Sequence, residues 1–245
     1  MFEPIERKKY EEIVDAKLVA YTQVDPDYGI DLCDAQSLIA YCAKVSNPSS
    51  AKQEDLENSE KLIRYLMKHS HWSPLEMVNA VLRLETTRDI GRQIIRHPTF
   101  RFQEFSQRYA AALTGEDQSI QLVLSEARLQ DPKNRQNSID ISESDLETSE
   151  RILLRSWWED AQKDVADYAE FTYQKAINKG LAKETARKIL PEGLTTTTMF
   201  VNGSIRSWIH YADLRKGNGT QKEHMMIAKA VAQALTKIFP MMEEL

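Results

Sequence analysis

Arg96-His97-Pro98-Thr99-Phe100-Arg101-Phe102-Gln103-Glu104-Phe105-Ser106-Gln107-Arg108-Tyr109 sets three arginines, a histidine, a glutamate and a serine in one short span. Such a span suits an anion joined to a flat ring. Just upstream, Thr86-Thr87-Arg88-Asp89-Ile90 and Arg92-Gln93-Ile94-Ile95-Arg96 read as a short helix with a threonine cap. Pro98 ends it, because proline disfavours the helical region for the residue before it. Beyond Pro98, Phe100 and Phe102 alternate with other residues, and Glu104, Ser106 and Arg108 fall at every second position. In an extended strand that spacing places a carboxylate, a hydroxyl and a guanidinium on one wall.

Three further segments flank this one. His71-Trp72-Ser73-Pro74-Leu75-Glu76 precedes a strand in which Val78, Ala80, Leu82 and Leu84 alternate with Asn79, Val81, Arg83 and Glu85. Downstream lies Ala186-Arg187-Lys188-Ile189-Leu190-Pro191, and then Asn202-Gly203-Ser204-Ile205-Arg206-Ser207-Trp208-Ile209-His210-Tyr211-Ala212-Asp213-Leu214-Arg215. In order and spacing the four segments resemble the flavin-dependent thymidylate synthase family. That family's signature is Arg-His-Arg, seven residues, Ser; here Pro98 stands in place of the third arginine, and Asn202 lies at a slightly different distance from Arg206 than is commonest.

The resemblance implies an α+β fold with antiparallel sheet packed against long helices. It implies reductive methylation of dUMP to dTMP, with methylenetetrahydrofolate as carbon donor and NADPH as reductant through FAD. Arg215 is the expected catalytic residue, meeting the pyrimidine edge. The dUMP contacts fall on Gln93, Arg96, Glu104, Phe105, Ser106, Gln107, Arg108, Arg187 and Arg215. The FAD contacts fall on Ser73, Arg96, His97, Pro98, Glu104, Asn202, Arg206 and His210, with Arg101 a nearby candidate for the charge missing at Pro98. Arg206 and His210, four apart, share a helix face, whereas Arg215 is half a rotation away at about 100° per residue. One helix then serves two ligands or two subunits, in keeping with the family's homotetramer and shared active sites.

Composition narrows the classes. The 245 residues are expected to form a single catalytic domain, with a polar, acidic excursion at about 113–148 that has too few apolar residues for its own core. A net charge of −5 argues against a nucleic-acid binder, and no apolar run reaches membrane-spanning length. The start lacks the apolar segment of a secretory signal, and Cys33 and Cys42 are too few for a disulfide framework, so a cytoplasmic setting is expected, a host's cytoplasm for a viral chain. Neither cysteine lies in a matched segment, which favours a hydride route over a cysteine nucleophile. Ser106 has no matched base and acid for a triad. The spacing of His69, His71 and Glu76 fits no standard metal pair, so no metal is expected.

Elsewhere, 20–22 reads as a first strand, and 35–45 and 53–69 as helices broken at Asn47-Pro48-Ser49-Ser50. Residues 150–178 read as a long amphipathic helix with Leu154, Trp158, Ala161, Val165, Tyr168 and Phe171 on its apolar face. Trp157 and Trp158 are expected in the core and at a subunit contact. Thr220-Gln221-Lys222-Glu223 has the form of a capping box, and the helix it opens ends before Pro240. A rival reading is a non-catalytic dUMP-binding regulatory protein in which Pro98 has disabled the flavin chemistry.

Overall fold

Ala80, Leu82 and Leu84 alternate with partly exposed residues because a strand turns successive side chains to opposite faces, and all three are fully buried. The computed structural model describes residues 6–30, 32, 34–46, 59–108, 121–217 and 219–244. In chain order the elements are α1 (Tyr10–Ile13), β1 (Asp15–Tyr21), α2 (Ala35–Ala43), α3 (Ser59–Lys68), β2 (Asn79–Thr87), α4 (Arg88–Ile94) and β3 (Arg101–Glu104). There follow β4 (Arg128–Gln130), β5 (Ser138–Asp140), α5 (Thr148–Asn178), α6 (Lys183–Ala186), β6 (Thr196–Ser204), α7 (Ile205–Lys216) and α8 (Lys222–Leu235).

Four strands pair antiparallel in the order β1-β2-β6-β3, and β4 and β5 form a separate ribbon. The inner sheet face carries Leu82, Leu84, Met199 and Val201 against Trp208, Ile209, Ile227 and Val231 of α7 and α8. Trp208 is fixed there by its indole N–H, which donates to the Ala80 carbonyl at 3.2 Å. The segregation of helices to this face matches the expected α+β class.

Several boundaries differ from the sequence reading. The first strand is longer, beginning at Asp15, and the break at Asn47-Pro48-Ser49-Ser50 lies outside the described residues, as do Cys33 and the first part of the 53–69 helix. Thr87 occupies the N-cap of α4, but its hydroxyl donates to Asp89 Oδ1 at 2.5 Å and so does not cap the backbone. No capping box opens α8, since Glu223 is held by Arg128, whose Nη2 donates to both carboxylate oxygens, at 2.6 and 2.7 Å. A capping box stands instead at α5, between Glu147 and Glu150.

The excursion from 113 onward is described only from residue 121, and the first residues described there are not at the surface. Leu122, Val123 and Leu124 are buried, with bridges from Leu122 to Thr195 and from Leu124 to Lys9. On α5 the inward face is Gln162, Ala166, Ala169 and Tyr173, whereas Val165 and Tyr168 of the expected apolar face are 53 % and 72 % exposed. Gln162 decides the rotation. Its amide accepts from the Ser125 N–H at 2.8 Å and donates to the Ser125 carbonyl at 2.9 Å, satisfying loop backbone that an apolar side chain would leave unpaired.

Candidate functional site

The arginine-rich segment is pinned at both ends by close packing. Gly91 of α4 lies against the sheet so tightly that a Cβ there would sit 3.2 Å from Met199 Sδ, and Arg88, one turn earlier, reaches Glu104 with a side chain that is only 12% exposed. After the helix, Phe100 is buried against Trp208 with ring centroids 4.3 Å apart, and a Cβ on Gly203 would come within 2.3 Å of its ring. The turn between, Arg96 to Phe100, is tied by Arg101, whose Nη1 donates to the carbonyls of Pro98 at 3.1 Å and Phe100 at 2.9 Å.

At the C-terminal end of α7, Arg215 Nε donates to His97 Nε2 at 3.0 Å. His97 must then be neutral. Burial, with the Arg215 charge adding to it, lowers its pKa from 6.5 to about 4. No carboxylate pairs with Arg215 among the described residues. Behind this pair, His224 Nδ1 meets Gln93 Oε1 at 3.0 Å, and Gln93 Nε2 donates to Gln221 Oε1 at 2.8 Å. Tyr211 stands between the two imidazoles, its ring centroid 5.0 Å from that of His97 and 5.7 Å from that of His224.

Glu104, the last residue of β3, lies over α4. Its carboxylate accepts from Thr197 Oγ1 at 3.0 Å and pairs with Arg88 at 3.3 Å and Arg92 at 3.6 Å. At the N-terminal end of α7, Glu76 accepts from Ser204 Oγ at 2.7 Å and from Arg206 Nη1 at 2.8 Å, and Trp72 packs on His210 at 4.5 Å between centroids. The two faces expected of this helix are therefore occupied by two different chain segments. Ser73 and Asn202 are exposed, Asn202 opposite Arg101 across the β3–β6 pairing.

The wall of Glu104, Ser106 and Arg108 does not form. Strand pairing ends at Glu104 with one further bond from the Phe105 N–H to Thr198, and the chain then turns. Ser106 Oγ accepts weakly from the Arg108 N–H at 3.4 Å, a local contact that competes with strand extension. Phe105 packs beside Tyr173 and Ala186, Gln107 is buried, and Arg108 pairs with Glu184 at 3.1 Å. Arg187 follows α6 in a short 3-10 turn, and neither it nor Arg96 has a side-chain hydrogen bond or ion pair among the described residues.

Sequence reasoning missed Arg88, Trp72, Tyr211, Gln221 and His224 as members of these clusters. A histidine inside the apolar run of α8 was the available signal for His224. Trp72, Tyr211 and Gln221 needed contacts made more than a hundred positions apart, and Arg88 meets Glu104 across 16. A cavity of about 690 Å³, also unforeseen, opens between the ribbon, α5 and the start of α8, with Arg128, Trp158, Gln221 and Glu223 in its walls.

Comparison with known proteins places the chain in a family. The family described as thymidylate synthase complementing protein matches residues 30–241, and the chain belongs to that family. Within it, similar proteins are a flavin-dependent thymidylate synthase of Synechocystis, 40% identical, and a probable flavin-dependent thymidylate synthase of Paramecium bursaria Chlorella virus 1, 41% identical. Each alignment covers 93% of this chain and 96% of the relative. Among solved structures, a UMP/dUMP methylase PolB from Streptomyces cacaoi bound with 5-Br dUMP shares the fold, with a TM-score of 0.73 at 21% identity over 98% of this chain and 96% of that one.

Proposed function

We propose that this protein is a flavin-dependent thymidylate synthase. It methylates dUMP at carbon 5 of the uracil, with methylenetetrahydrofolate as carbon donor and NADPH as reductant. The observation that supports this best is Arg215, a guanidinium with no carboxylate partner among the described residues, bonded to a neutral imidazole. A fixed cation in a site sheltered from water stabilises negative charge developing on the pyrimidine. Its Nε is held by His97, so the two terminal amino groups are left to meet the ring edge.

Gln93, Arg96, Glu104, Phe105, Ser106, Gln107, Arg108 and Arg187 complete the dUMP site. Arg96 and Arg187 supply forked donors for the phosphate, and Glu104 is oriented by Arg88 and Arg92. Residues present also suit FAD. Arg96 offers an uncommitted cation for a diphosphate, Trp72 and His210 offer flat rings, and Arg101 brings its charge beside Pro98. Ser73, Arg96, His97, Pro98, Glu104, Asn202, Arg206 and His210 would hold the flavin, which when bound supplies the hydride that completes the methyl group. Cys42 makes a poor nucleophile, because burial pushes its thiol pKa up.

The chain acts as one catalytic domain within a homotetramer whose subunits share active sites. The exposed apolar residues of α5, including Trp157 at 62 %, support such assembly, since monomers rarely leave contiguous apolar patches bare. No described helix is long and apolar enough to cross a membrane. A cytoplasmic setting, that of the host for a viral chain, suits an enzyme fed by NADPH. Flavin absorbance of the purified protein, with dTMP formation, tests the reading. A colourless protein that binds dUMP and makes no dTMP contradicts it.

A further inference from the structure

His224 is fully buried on α8, yet only one of its ring nitrogens is hydrogen-bonded among the described residues. Nothing in the matched motifs assigns it a role. With the carboxamides oriented as they are, Gln93 Nε2 gives a hydrogen to Gln221 Oε1, and Gln93 Oε1 faces the histidine. A carbonyl oxygen only accepts, so the proton on His224 sits at Nδ1. Burial first, then the charge of Arg215 and the nearby His97, lowers the His224 pKa from 6.5 to about 3. The ring is thus a neutral donor. It fixes the Gln93 amide without adding a second cation beside Arg215.

We propose that His224 is a positioning residue that sets the Gln93 carboxamide for the nucleotide through its Nδ1–H, with Gln221 holding the other end of that amide. This rests on the dUMP reading of the site. A free glutamine side chain samples many rotamers, and ordering it in advance removes part of the entropic cost of binding. The Tyr211 hydroxyl is also buried without a partner, and its ring packs against His224, so the imidazole cannot swing away from Gln93 without displacing the Phe100–Trp208–Tyr211 cluster.

The placement of the donor can be tested separately from the presence of a polar group. An asparagine amide nitrogen falls near the place of Nδ1, a glutamine amide nitrogen near that of Nε2. The tetrameric or native assembly should be titrated with dUMP calorimetrically, alongside dTMP turnover at saturating substrate. His224→Asn should bind dUMP within about 3-fold of wild type, whereas His224→Gln should bind about 10-fold more weakly, with kcat within about 3-fold for both. On a Gln93→Leu background the two substitutions should become equivalent. Equal affinities for the Asn and Gln variants in the wild-type background, or an undiminished gap without Gln93, would overturn the assignment while leaving the enzyme reading intact. Failure of wild-type protein to bind dUMP would remove both.

Discussion

The two ends of α7 each carry an arginine, and they differ in what their charge has already met. Arg206 is neutralised by Glu76 at 2.8 Å, in a contact shared with the Ser204 cap that starts the helix. Arg215 is bonded to a histidine that cannot take up a proton near neutral pH. One guanidinium is spent on architecture and contributes position. The other keeps its charge, in a partly buried setting where charge acts strongly.

The largest effect expected from this contrast is on turnover. Arg215→Ala should fold and bind FAD but lose about 1,000-fold in kcat. Arg206→Ala should instead weaken FAD about 10-fold and leave kcat at saturating FAD within about 3-fold. Equal losses of kcat in the two variants would erase the distinction between the ends. A second contrast, between the closed inward face of α5 and its exposed outer one, is sharpened by Tyr168→Glu. Light scattering should find the assembly reduced to smaller species, with thermal stability lowered by about 1–3 kcal/mol through loss of subunit contact. An unchanged mass would remove α5 from the interface.

Acid should expose the buried imidazoles more gently. The folded-state pKa values of about 4 for His97 and about 3 for His224 lie below the ordinary 6.5, so the unfolded chain binds more protons in that interval. Their contribution to stability is therefore constant above pH 6.5 and declines as pH falls toward about 4 for His97 and about 3 for His224. Urea midpoints measured at pH 7 and pH 5 should show a smaller drop for His224→Asn than for wild type. The smallest change is expected from Arg101→Ala, which should weaken FAD by about 3-fold by loosening the Pro98 turn. Flavin affinity that does not move would leave Arg101 a purely structural tie.

Much of the fold could be read from local pattern. The alternation in β2 and the long α5 follow from rules that act within a few residues, whereas α4 ends at Ile94, four residues before the expected stop at Pro98. What could not be read depends on distant partners. Glu223 has the form of a capping residue, but Arg128, 95 positions away, takes its carboxylate. Val165 and Tyr168 were expected inside because they are larger and more apolar than Gln162, yet Gln162 satisfies Ser125 and turns them out. The extended wall through Arg108 failed for a nearer reason, a turn at Ser106–Arg108, after which Arg108 meets a distant charge, Glu184, 76 positions away. In the site, the motif residues were legible one by one. Their junctions, such as Arg215 with His97 across 118 positions, belong to the fold.

The central claim is that Arg215 supplies transition-state charge in a flavin-driven methylation. The direct measurement is dTMP formed from dUMP and methylenetetrahydrofolate with FAD supplied, with and without NADPH, by wild type and by Arg215→Ala at matched flavin occupancy. The account predicts NADPH-dependent dTMP from wild type and about 1,000-fold less from the variant. Near-normal turnover by Arg215→Ala, or no NADPH-dependent dTMP from folded, dUMP-binding wild-type protein, would contradict it.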